Sequence, residues 1–121
     1  AALKIMEMIV TIITTLIIFS GNMISCHSNR TTQVEKNRIE EKKVQVLIEA
    51  TNHKEASIIR TLKEGAHVIN FLDCPFIQLL ADTYHMNIEE PSLVDSLSEY
   101  MSYYPHLHIS DDNRAYPGLG S

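Results

Sequence analysis

Three short apolar runs in this chain each lead to a residue that can bind a cation or move a proton. Val44-Gln45-Val46-Leu47-Ile48 runs into Glu49, Phe76 to Ala81 runs into Asp82, and the run that begins at His106 carries His108. Acids, histidines and an arginine crowd the segments DTYHMNIEE (82–90) and HLHISDDNR (106–114), and PGLG (117–120) follows. A buried parallel strand looks like this when it delivers polar side chains to a site at its C-terminal end. Two carboxylates and an imidazole suit a divalent cation such as Mn²⁺ or Mg²⁺, with open positions left for substrate oxygens.

Taken singly, each of these residues has an ordinary explanation. A glutamate at a strand end is more often a cap or a surface group than a ligand, and a lone histidine is more often a satisfied hydrogen-bonding residue. It is their recurrence on successive strands that points to a site. His106 is expected on the opposite face of its strand from His108 and is not counted as a ligand. His27, His53 and His67 have no partner pattern, so surface or core is their default. Tyr100, Tyr103 and Tyr104 read as packing residues, and Met86 and Met101 as core.

The elements that must position these residues follow from hydrophobic spacing. Leu3, Met6, Ile9, Val10 and Ile13 recur at helical intervals, and the β-branched Thr15 to Phe19 reads as a strand closed by Ser20-Gly21-Asn22. Read together, Met8 to Phe19 resembles a membrane span, but about 12 apolar residues fall short of the ~20 that a spanning helix needs. A helix is predicted over Thr32 to Lys43, with Val34 and Ile39 as its sparse apolar positions, then a strand from Val44 to Ile48. Ile58, Ile59, Leu62, Ala66 and Ile69 predict a helix over Lys54 to Leu72, stopped by Asp73-Cys74-Pro75. A strand over Phe76 to Ala81 follows, then a loop over Asn87 to Pro91. Next come a helix over Ser92 to Tyr103, with Leu93, Val94, Leu97, Tyr100 and Met101 inward, and a strand over His106 to Ile109. Alternation of helix and strand argues for an α/β fold of parallel βα units.

The chain has 121 residues, 45% of them hydrophobic and 21% charged, enough for one domain with a buried core, residues 1–121. Net charge is -5, and the basic pair Lys42-Lys43 sits beside Glu40-Glu41. No basic stretch is interleaved with aromatics, which argues against a nucleic-acid partner. Cys26 and Cys74 lack a CxxC spacing and read as free thiols of a cytoplasmic protein, with no membrane partner.

With these residues in place, the chain resembles the sugar isomerase/epimerase family built on the xylose-isomerase-like TIM barrel, and within it the ketose 3-epimerases of the tagatose and psicose type. The motifs DTYHMNIEE, HLHISDDNR and PGLG carry the resemblance, with IEATNHKE (48–55) as a weaker match. It is best over residues 44–121.

The resemblance implies that Glu49 both binds the metal and exchanges a proton with the sugar, that Asp82 and His108 are its fellow metal ligands, and that Glu55, His85 and Arg114 hold substrate oxygens. It implies a divalent cofactor, Mn²⁺ or else Mg²⁺ or Co²⁺, a ketose as substrate, and proton exchange through an enediolate. Two departures stand out. The family's Glu-Pro-Leu-Asn-Arg is here Glu49-Ala50-Thr51-Asn52-His53. The chain is also shorter than the ~250 residues of a whole barrel, so about four of eight strands are expected. The last strand, which in the family supplies a second catalytic glutamate, then falls beyond Ser121. Such a partial barrel is expected to pair with a copy of itself or with a chain that completes it. The alternatives are a catalytically inactive fragment serving as an assembly or binding module, a hydroxypyruvate isomerase, or an abasic-site endonuclease relative.

Overall fold

The computed structural model describes residues 26–120, and side chains from residue 33 onward. The helix and strand expected between Leu3 and Phe19 lie outside the described residues. The chain divides into two compact units, Ala1–Val44 and Gln45–Ser121. In the first, a single described helix, α1, spans Cys26–Lys42, starting six residues before the expected Thr32. Its exposed face carries short-range polar pairs, Arg38 with Glu35 and Gln33 with Asn37, of the kind that support a polar helix. Val34 is exposed and Ile39 is buried.

The second unit holds the site. Its elements are β1 (Val46–Glu49), α2 (Leu62–Leu72), β2 (Ile77–Asp82), α3 (Thr83–Glu89), α4 (Leu93–Glu99) and β3 (His106–His108). The three strands form one parallel sheet in the order β1-β2-β3. Among the described residues this is an open parallel α/β sheet, as expected for βα units. Three of the four expected strands fall among the described residues, and the fourth, over Thr15 to Phe19, falls outside them.

Burial alternates strictly along β1 and β2, as the two-residue period of a strand requires. Val46, Ile48, Ile77, Leu79 and Ala81 are buried, and α2 packs on β2 with Leu62, Gly65, Ala66 and Leu72 buried. Gly65 is required by that approach: a Cβ there would lie 2.6 Å from Cδ2 of Leu79. The other face of the sheet, with Leu47, Glu49, Gln78, Leu80 and Asp82, is half-buried.

Two predicted helices are shorter than expected. Residues 50–61 form a loop, and the helix expected from Lys54 begins only at Leu62. Thr61 accepts the Glu64 N–H at 3.2 Å while the Glu64 carboxylate accepts the Arg60 N–H at 2.7 Å, an arrangement close to a capping box that sets the start. The loop is held by its own bonds, Thr51 N–H to the Ile59 carbonyl at 3.1 Å and Lys54 N–H to Asn52 Oδ1 at 2.9 Å. The helix expected over Ser92 to Tyr103 is α4 alone. Ser92 caps it as expected, but Val94 and Met101 are each 70% exposed, and Ser96 is buried in their stead because its hydroxyl donates to Glu90 Oε2 at 2.8 Å. The helix α3 was not anticipated. Asp82 caps it, Oδ1 accepting the Tyr84 N–H at 2.8 Å, and Met86 is buried as expected.

Candidate functional site

Glu49, Asp82 and His108 close β1, β2 and β3, so the parallel sheet brings all three to one edge. Asp82 and His108 are register partners. His108 Nδ1 lies 3.5 Å from Asp82 Oδ2 and 3.8 Å from Glu49 Oε1. His85 enters from the first turn of α3, with Nε2 3.9 Å from Glu49 Oε1. One donor atom each from Glu49, Asp82 and His85 lie within 4.8 Å of one another. Metal–ligand bonds of about 2.0–2.6 Å let donors spaced this closely share an ion. Mixed carboxylate and imidazole donors suit Mn²⁺ or Mg²⁺. The residues present therefore fit a divalent cation, and both His85 and His108 stand within reach of the carboxylates.

Burial pushes the Glu49 carboxyl above the usual glutamate value of 4.5, the imidazole of His85 pulls it back, and the Asp82 carboxylate raises it further. A carboxylate so placed holds its proton more readily than one in water. This is the direction that a group exchanging protons with carbon needs.

Glu55 lies in the loop after β1 and Arg114 in the segment after β3, and the two form an ion pair with each other. The Arg114 guanidinium lies 4.3 Å from the centroid of the Tyr84 ring. That segment is organised by Asp111, whose Oδ2 accepts the N–H groups of Gly118 at 2.7 Å and Gly120 at 3.0 Å.

His106 is not on the far face from His108. Their rings meet edge to face with centroids 5.4 Å apart, as residues two apart on a strand must.

Asn52 and Tyr84 were missed as site residues. Asn52 is fully buried and donates to His85 from both its backbone and its side chain. Its signal in the sequence was its position in the turn after a strand-end glutamate, where the usual proline and arginine are replaced. Glu89 accepts from the His53 backbone and ring, and Glu90 accepts the Leu62 N–H at 2.7 Å, so the end of α3 ties down the loop that carries Glu55.

Residues 30–121 match the model of the xylose isomerase-like TIM barrel family. A D-psicose 3-epimerase from Ruminiclostridium cellulolyticum is 36% identical over 77 residues, 64% of this chain and 26% of that protein. A 3-dehydro-D-guloside 4-epimerase from Escherichia coli is 36% identical over 76 residues, 63% of this chain and 29% of that protein. The chain thus spans about a quarter of the length of the curated relatives it matches. Among solved structures, the D-psicose 3-epimerase with D-tagatose from Clostridium cellulolyticum H10 superimposes with a TM-score of 0.67 at 30% identity, covering 83% of this chain and 36% of that one. A family 2 AP endonuclease from Brucella melitensis, at 18% identity and a TM-score of 0.65 over 76% of this chain and 37% of that one, shares the fold alone. A family match over most of the chain, together with parallel strands that place their polar ends at one edge, makes this chain a member of the xylose isomerase-like TIM barrel family.

Proposed function

We propose that the chain carries the proton-exchanging part of a metal-dependent sugar isomerase/epimerase site of the ketose 3-epimerase type. The observation that supports this most is the meeting of Glu49, Asp82 and His108 at one sheet edge, with His108 Nδ1 3.8 Å from Glu49 Oε1 and 3.5 Å from Asp82 Oδ2. In this reading the three residues hold Mn²⁺, or else Mg²⁺ or Co²⁺. When bound, the cation supplies positive charge that stabilises the negative charge developing on adjacent substrate oxygens. Glu49 takes the proton from the hydroxyl-bearing carbon next to the ketose carbonyl, the C–H electron pair moving onto the carbonyl oxygen as an enediolate, and can return it. His85 faces the same edge and donates to a sugar oxygen. Glu55 and Arg114, on loops after β1 and β3, hold further hydroxyls once their mutual ion pair is shared with substrate.

The substrate is a ketose, as the names of the matched epimerases suggest, and the net charge of -5 disfavours a nucleic-acid partner. Among the described residues no helix is long and apolar enough to cross a membrane. A cytoplasmic setting belongs to the same reading, supported by the free, buried Cys74. The test is calorimetric titration with Mn²⁺ followed by incubation with D-psicose, D-tagatose and D-fructose. Saturable Mn²⁺ binding with poor or no net conversion of the ketoses is the expected result, because one glutamate removes and returns the proton on the same face. A chain that binds neither cation nor sugar would instead be an assembly or binding module.

A further inference from the structure

We infer that Asn52 is a positioning residue that holds His85 in one neutral tautomer, with the proton on Nε2. His85 then offers the site a hydrogen-bond donor and not a metal-binding lone pair. The two residues are buried together, Asn52 at 0% and His85 at 4% exposure. His85 Nδ1 faces two nitrogens of Asn52, the backbone N–H at 3.2 Å and the side-chain Nδ2 at 2.8 Å. A backbone amide can only donate. The side-chain amide is not free to turn its oxygen toward the ring, because Oδ1 already accepts the Lys54 N–H at 2.9 Å. The Asn52 carbonyl in turn accepts the N–H groups of Glu55 and Ala56, each at 3.0 Å, which pins the residue in its turn. A ring nitrogen that accepts from two donors carries no proton, so the neutral imidazole carries it on Nε2, the nitrogen 3.9 Å from Glu49 Oε1.

This separates two histidines that distance alone leaves equivalent. A metal-binding histidine almost always donates its other ring N–H to a carboxylate, carbonyl or water. Nδ1 of His85 meets donors instead, so ligation through Nε2 would force an N–H against two N–H groups. His85 therefore leaves the ligand set despite its spacing from Glu49 and Asp82, and His108 remains. The tautomer follows from hydrogen bonding alone; the role of its N–H toward a sugar oxygen rests on the epimerase reading.

The experiment is nitrogen-15 NMR of the imidazoles in the 121-residue chain at mildly alkaline pH, with His85 identified by the signals lost in His85→Gln. The expected spectrum has a protonated Nε2 and a bare Nδ1. A protonated Nδ1 would overturn the inference. Asn52→Asp replaces the side-chain donor with an acceptor and should move N–H signal from Nε2 to Nδ1. An unchanged tautomer there would remove Asn52's side chain from the account. If that variant does not fold, Asn52→Ala reads the same point through the appearance of a minor Nδ1–H population, and its absence counts against the inference. Adding Mg²⁺ should shift His108 and leave the His85 Nε2–H in place. Loss of that N–H would overturn the inference. No shift at any histidine would count against the proposed cation site while the apo tautomer still decides the inference.

Discussion

Asp82 and His108 face each other across two parallel strands, and Asp82 divides its two oxygens between them and the next helix. Oδ1 accepts the Tyr84 N–H at the start of α3, while Oδ2 faces His108 Nδ1 at 3.5 Å. The cap needs an acceptor and the cation needs a charge, so the roles separate by substitution. Asp82→Asn keeps an oxygen for Tyr84 and loses the charge. Mn²⁺ affinity is expected to fall at least ~10-fold with thermal stability nearly unchanged. Asp82→Ala is expected to lose both, with a further ~1 kcal/mol from the missing cap. Calorimetry and thermal melts on the two variants check this.

Gly65 packs a helix onto the buried side of the site-bearing sheet. A Cβ would stand 2.6 Å from Leu79 Cδ2 and 3.0 Å from Cδ1, so the fully buried Leu79 side chain must shift within the core to admit it. Alanine would improve helix propensity by about 1 kcal/mol, but overpacking costs about 1–3 kcal/mol. Gly65→Ala is therefore expected to destabilise by about 1 kcal/mol, read as a lower urea midpoint.

Two carboxyls should titrate in opposite directions. Backbone N–H groups of Asp112, Gly120 and Gly118 hold Asp111 below the ordinary aspartate value of 3.8, whereas burial holds Glu49 above the ordinary 4.5. A depressed folded pKa contributes stability above the unfolded value that is lost as pH falls through the folded one. The Asp111 loop should thus loosen only below pH 3.8. Glu49 has the reverse sign. Its raised folded pKa favours the fold while protonated, and that contribution is lost as pH rises from 4.5 through the folded value. Carboxyl NMR titration reads both, and midpoints on the same side of their ordinary values would contradict the account.

The sheet is open at β1 and β3 among the described residues, and its site-bearing face, with Leu47 and Leu80, is only half-buried. Unpaired strand edges and uncovered apolar faces promote association. The 121-residue chain is expected to self-associate or to bind a chain that completes its barrel. Light scattering at micromolar concentration that shows a stable monomer would refute this.

The strand-end residues were legible because apolar runs that stop at Glu49 and Asp82 carry their own boundary. The parallel order followed from alternation of element types. Residues 50–61 were not legible as a loop, because Ile58, Ile59 and Leu62 mimic helical spacing. What overrides it is a pair of long-range facts, the Thr51–Ile59 backbone bond and the burial of Asn52 against His85. The seven-residue α3 was hidden inside a polar motif, its cap supplied by the residue already assigned to the site. The register pairs Leu79 with Ile48, both buried, on the face that packs against α2.

The central claim is that Glu49 exchanges a proton with carbon, and solvent exchange tests it without requiring inversion. The Mn²⁺-supplemented chain is incubated with D-psicose in deuterium oxide, and deuterium at C3 is measured by NMR or mass spectrometry. A single base can remove and return the proton on one face, so the account predicts deuterium wash-in at C3. That wash-in should fall by at least ~100-fold in Glu49→Gln. No wash-in with the cation bound, or wash-in undiminished by Glu49→Gln, would contradict it.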